Sequence, residues 1–156
     1  MNEAPLLLKS YYITNVKIDV IQNHNSEKEY ILSTDDIDIT VKFLTNKKFP
    51  GVWQVQLHIK HKPEEKSNIP YAFSLSMAGF FEVIKTYPKD KVGRLLELDA
   101  PAMLYSAARE FIAIITGRGP WGEMILPSTN FFPTTSVAAK RKVKLVRKRA
   151  AKLTGR

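Results

Sequence analysis

The sequence predicts an α+β fold, a four-stranded antiparallel sheet packed with one long helix. Three observations carry that prediction. Four stretches between Tyr12 and Ile84 alternate apolar and polar residues with the period of a strand. The connections between them are too short to hold the crossover helices that parallel pairing requires. One long apolar run with helical spacing then follows.

The first strand is read from Tyr12, Thr14, Val16, Ile18 and Val20, which alternate with Asn15, Lys17 and Asp19 and are expected on one face. Residues 21–36 form a long polar connection rich in Asn, Ser and Asp, of a length that often carries function. Ile37, Ile39, Val41 and Phe43 give a second strand, and NKKFPG turns the chain. Trp53, Val55, Leu57 and Ile59 give a third. Residues 71–84 give a fourth, with Phe73, Leu75 and Met77 on one face and Gly79 marking a bulge or a close backbone approach.

Arg94 to Glu97 is expected to form a short helical turn. Asp99 is the predicted N-cap of the long helix, Pro101 lies in its first turn and Gly117 stops it, framing Ala100 to Thr116. Leu104, Ala108, Phe111, Ile112 and Ile115 gather on one side. Met103, Ala107, Ala113 and Ile114 widen the apolar arc until little is left for water. One sheet covers one side of such a helix. A second copy of the chain is expected to cover the other, with the small residues Ala107 and Ala108 easing the approach. After Gly117, a Pro- and Gly-punctuated loop carrying Trp121, Met124, Ile125, Leu126, Phe131 and Phe132 is expected to lie ordered over the body.

The formal charge of +9 is unevenly placed. Nine of the 24 Lys and Arg fall in residues 137–156 with no acid among them, leaving 15 against all 15 Asp and Glu in the first 136 residues. Ala139, Val143, Val146, Ala150 and Leu153 recur at spacings of four and three, so this tail, if ordered, reads as a basic amphipathic helix. Its cations Lys140, Arg141, Lys142, Lys144, Arg147, Lys148, Arg149 and Lys152 fit three readings: a solvated terminus, a docking segment, or an arm for an acidic partner or nucleic acid.

Several chemistries are excluded. No cysteine is present for disulfides or thiolate-bound metal, no run is long enough to span a membrane, and a cytoplasmic location is expected. Gly117, Gly119 and Gly122 satisfy G-x-G-x-x-G but follow a helix and enclose Pro120, the wrong context for a dinucleotide. His58 and His61 point to opposite faces of a strand, so no metal site is expected, and all three histidines read as solvated. Arg109 and Glu110 are adjacent and cannot face each other; an ion pair to another segment or chain is expected. No serine or lysine has the neighbours of an activated nucleophile, so neither catalytic residues nor a cofactor is expected.

Residues 6–132 resemble the SecB family of protein-export chaperones. The family's long helix reads L-F-P-Y-A-R-E-x-I, then an R-G loop, then P-x-N-F. Here stand Leu104, Tyr105, Ala108, Arg109, Glu110 and Ile112, then Arg118 and Gly119, then Pro127, Asn130 and Phe131, with Ser106 and Ala107 replacing Pro-Tyr. AFSLSMAGFFEV resembles the family's fourth strand and YYITNVKID its first. The resemblance implies a chaperone domain over 1–136 with an appended tail over 137–156. It also implies a dimer of dimers assembled through the long helices, with Leu104, Ala107, Ala108, Phe111 and Ile115 at the interface.

By the same resemblance the chain is an ATP-independent holdase for unfolded preproteins or for an antitoxin, with Ile37, Ile39, Val41, Trp53, Phe131 and Phe132 lining apolar client grooves. Export members dock the SecA motor through carboxylates on the outer sheet face. The equivalent positions here are Asn15 and Ser76, which argues against that partner. The alternative reading is a nucleic-acid-binding oligomer that uses its basic tails on a SecB-like platform.

Overall fold

The computed structural model describes residues 2–64, 66–131 and 144–146. Four antiparallel strands, β1 (Leu6–Val20), β2 (Asp38–Thr45), β3 (Val52–His61) and β4 (Tyr71–Val83), precede one helix, α1 (Val92–Thr116). A short strand β5 (Lys144–Val146) pairs with β2 in parallel, Thr40 opposite Lys144, so the sheet order is β1-β4-β3-β2-β5. The tail was expected to be helical if ordered; these three residues are extended. The remaining tail residues, and Phe132, lie outside the described residues.

Alternation puts Val55, Leu57 and Ile59 of β3 and Tyr71, Phe73, Leu75, Met77 and Phe81 of β4 on one buried face, with Ile39 and Val41 of β2 beside them. Leu96, Ala100, Leu104, Ala108 and Ile112, at four-residue spacing along α1, close that face. Gly79 is the close approach anticipated: a Cβ there would lie 2.8 Å from Leu104 Cδ2 and 2.9 Å from Phe81 Cε2.

Two expectations are corrected. β1 starts at Leu6 and carries irregularities at Lys9 and Thr14, so Tyr12 pairs with Ala78 while Val16 pairs with Leu75. Positions 78 and 75 of β4 point to opposite faces, and the five apolar residues of the first strand are therefore split between them. The helix starts at Val92, 25 residues long and about 37 Å at 1.5 Å per residue, so Asp99 and Pro101 lie inside it. Pro101 leaves the Glu97 carbonyl without an amide donor. Leu95, Leu96, Ala100 and Pro101 are all buried, and that burial holds the turn.

Candidate functional site

Three segments leave apolar side chains half-buried beside the core: the connection after β1, the inner face of β2 and β3, and the loop after α1. They supply Tyr30 and Leu32, then Phe43 and Trp53, then Trp121 and Phe131. Ile31, at 85% exposure, and Ile125, at 59%, add free apolar surface on the first and third.

The loop after α1 is fixed by one hydroxyl. Tyr71, 1% exposed, has its Oη 2.9 Å from the Gly122 carbonyl and 3.2 Å from that of Thr116, and the Trp121 amide donates to it at 3.1 Å. The chain can pass this ring because position 119 is glycine; a Cβ there would sit 2.6 Å from the Tyr71 hydroxyl. Gly117 has an αR φ of −60°, so α1 is ended by the bonds around Thr116, whose hydroxyl donates to Ile112 O and accepts from the Met124 amide. Arg109 Nε donates to Leu126 O at 2.9 Å, a carbonyl bond where an ion pair was expected.

The same loop grips the connection after β1. Trp121 Nε1 donates to Ile21 O at 3.0 Å, and its ring lies 5.1 Å from that of His24, which in turn lies 6.0 Å from Tyr30. His24 Nδ1 donates to Asn68 O. Asn68 adopts φ +52°, and its amide binds the backbone of Asn25 and Lys28. His24 is therefore a structural link and not a solvated loop histidine. His61 departs from that expectation too: it is 3% exposed, donating from Nδ1 to Asp36 O and packed on Phe73. Sequence reasoning missed Tyr30, Leu32 and the His24–Trp121 pair, whose partners lie up to 100 residues away.

Of the residues predicted to bind clients, Trp53 and Phe131 are half-buried at the surface of the core. Ile37, just before β2, and Ile39 and Val41, which β2 turns beneath the sheet, are core at 7%, 7% and 0% exposure. Of the predicted interface residues, Leu104 and Ala108 have no exposed surface and pack on their own sheet. Ala107, Phe111 and Ile115 keep surface, beside the exposed Met103 and Ile114.

Tyr105 donates from its hydroxyl to Pro127 O at 2.7 Å. Burial pushes its pKa up to about 12, with the Arg109 charge opposing. The unfolded phenol ionises near 10, so the fold retains a proton that the unfolded chain has lost. Stability is then expected to be intact below about pH 10 and to fall as pH rises from about 10 to 12. Absorbance titration should show a late-ionising tyrosine that Tyr105→Phe removes.

No group of three or more potential metal ligands is found among the described residues, and no helix there is long and apolar enough to cross a membrane. The family model described as preprotein translocase subunit SecB matches residues 1–135. The protein-export protein SecB of Psychrobacter arcticus is 25% identical over 129 residues, 83% of this chain and 84% of that protein. That of Rhodopseudomonas palustris strain TIE-1 is 28% identical over 95 residues, 61% of this chain and 60% of that one. The fold is similar to a Mycobacterium tuberculosis SecB-like chaperone solved with a ChAD peptide from the HigA1 antitoxin, at a TM-score of 0.54 and 10% identity, covering 83% of this chain and 94% of that one. With the sheet, the long helix and the loop after it all inside the matched span, this chain belongs to the SecB family.

Proposed function

We propose that the protein is an ATP-independent holdase that keeps unfolded polypeptides from aggregating, in the cytoplasm, as an oligomer. The observation that carries this reading is the half-buried aromatic surface beside the core: Tyr30 and Trp121 on the two segments that the Asn68 and Tyr71 hydrogen bonds fix, Trp53 on β3, and Phe131 against the Tyr105 ring. Such a surface buries client side chains at about 25 cal/mol per Å² of apolar area without reading a sequence. The mycobacterial relative was solved with an antitoxin peptide, which supports a polypeptide client. Asn15 and Ser76 stand directly opposite one another on the outward face, and Asp19 lies 3.4 Å from Lys17, so SecA is not part of our reading.

The test is aggregation of a denatured model protein. The full chain is expected to suppress it at a severalfold molar excess, and to do so equally at raised salt. The pair Tyr30→Ala and Trp121→Ala is expected to weaken suppression about tenfold, roughly what losing 1.4 kcal/mol of aromatic contact gives. Absence of suppression by the unaltered chain overturns the holdase. Suppression that salt abolishes assigns the effect to the basic tail.

Assembly has two supports. β1 is an edge strand of 15 residues with β4 as its one neighbour among the described residues, and α1 exposes Met103, Ile114 and Ile115 beside the half-buried Ala107 and Phe111. We take the first as the dimer edge and the second as the surface between dimers. Ile114→Glu is expected to shift light-scattering mass to a smaller species while leaving single-chain stability within about 0.5 kcal/mol, as an exposed position allows.

A further inference from the structure

The outward face of the sheet, opposite α1, holds a basin of about 490 Å³. Two cross-strand rows form it: Lys42, Gln56, Ala78 and Tyr12, then Thr40, His58 and Ser76. β4 turns Ala78 and Ser76 to this face, and these short side chains leave the hollow. The Tyr12 ring, 6.1 Å from that of Phe80, forms one wall, and Lys42 on β2 stands across from it.

The charge in this basin is one-sided. No Asp or Glu lines it, and no carboxylate lies within 4 Å of Lys42 among the described residues. The acids elsewhere on this face have cations beside them: Asp19 is 3.4 Å from Lys17, Glu82 is 3.4 Å from Lys9, and Asp38 is directly opposite Lys60. Around Lys42 stand groups that both donate and accept, the amides of Gln54 and Gln56 and the hydroxyl of Thr40. Ser76 Oγ and His58 Nδ1 share a hydrogen bond at 2.8 Å, which holds the ring upright at the basin's side. An ammonium set among such groups suits a carboxylate carried on a peptide, whose backbone the amides and hydroxyls satisfy.

The geometry points to this basin as a docking site for an acidic peptide segment of a partner protein, anchored by an Asp or Glu on Lys42 with Tyr12 against its neighbouring side chain. The chain's own tail brings no carboxylate to Lys42: residues 137–156 contain no acid, and β5 runs along the β2 edge with Val146 opposite Lys42. The inference concerns the face opposite the proposed client surface and stands or falls independently of the holdase reading.

The test uses the full chain and a fluorescein-labelled Glu-rich dodecapeptide, read by anisotropy. Lys42→Glu is expected to weaken binding about tenfold or more, as loss of a charge-assisted bond does. Lys47→Glu, the same charge change on the exposed β2–β3 turn, is expected to weaken it less than about twofold. Zero-length carbodiimide coupling followed by mass spectrometry should join a peptide carboxylate to Lys42. Equal losses in the two variants, coupling confined to lysines of the tail, or a change of oligomeric mass in Lys42→Glu overturns the site.

Discussion

Leu104→Ala is expected to lower the unfolding free energy by about 2–5 kcal/mol, the range for a fully buried leucine. Leu104 is at 0% exposure at the centre of α1, and its Cδ2 occupies the space that a side chain at Gly79 would need. That contact makes the prediction sharper than a single loss. Gly79→Ala alone is expected to cost about 1–3 kcal/mol through overpacking. In the Leu104→Ala background the added methyl enters the vacated space, so the double variant should lose less than the sum of the singles by about 0.5 kcal/mol or more. Urea titration at one fixed protomer concentration measures this, because assembly adds its own stabilisation. Strict additivity would show that helix and strand do not pack at this point.

Tyr71→Phe carries the second large effect. It removes the hydrogen-bond partner of the Gly122 carbonyl and of the Trp121 amide, both partly buried, at about 1–3 kcal/mol for each group left unsatisfied. Because Trp121 holds Ile21 and stacks by His24, the loss is expected to spread: amide exchange should rise across residues 21–33 as well as 117–124, and client holding should weaken with it. Gly119→Ala reaches the same structure from the other side. Combining it with Tyr71→Phe should not restore stability, since its Cβ would still lie 2.9 Å from the ring carbon Cε1. Unchanged exchange in residues 21–33 would show the two loops to be independent.

The sheet was legible in the sequence where one face is buried without interruption. In β2, β3 and the Tyr71–Met77 part of β4 the buried positions fall at every second residue, and their registers agree with that alternation. β1 was legible as a strand but not in its facing, because the extra residues at Lys9 and Thr14 leave no mark in composition while each turns the following side chains over. In α1 the local signals misplace the start: Asp99 and Pro101 read as a cap and a first turn, yet burial of Leu95 and Leu96 carries the helix back to Val92. The helix line Leu104, Ala108 and Ile112 was visible as apolar; that it faces the chain's own sheet while Met103 and Ile114 face outward depends on packing that periodicity alone does not report. Of the half-buried aromatics, Trp53 and Phe131 were readable from the sequence as surface candidates. Tyr30, His24 and Trp121 come together through bonds spanning dozens of residues, which no local pattern encodes.

The strand order has a consequence for synthesis. β1 is made before the other strands of this sheet, and its neighbour is β4, the last of the four antiparallel strands. The stretch from Val20 to Val83 must be translated before their pairing is complete, about 3–13 s at 5–20 residues per second. During that interval the emerging N-terminal segment, with Leu6, Leu7, Leu8, Tyr11 and Tyr12 unpaired, is itself an aggregation-prone nascent chain. A family that shelters unfolded polypeptides thus makes one of its own at each round of translation, and β4 is the element that ends the exposure.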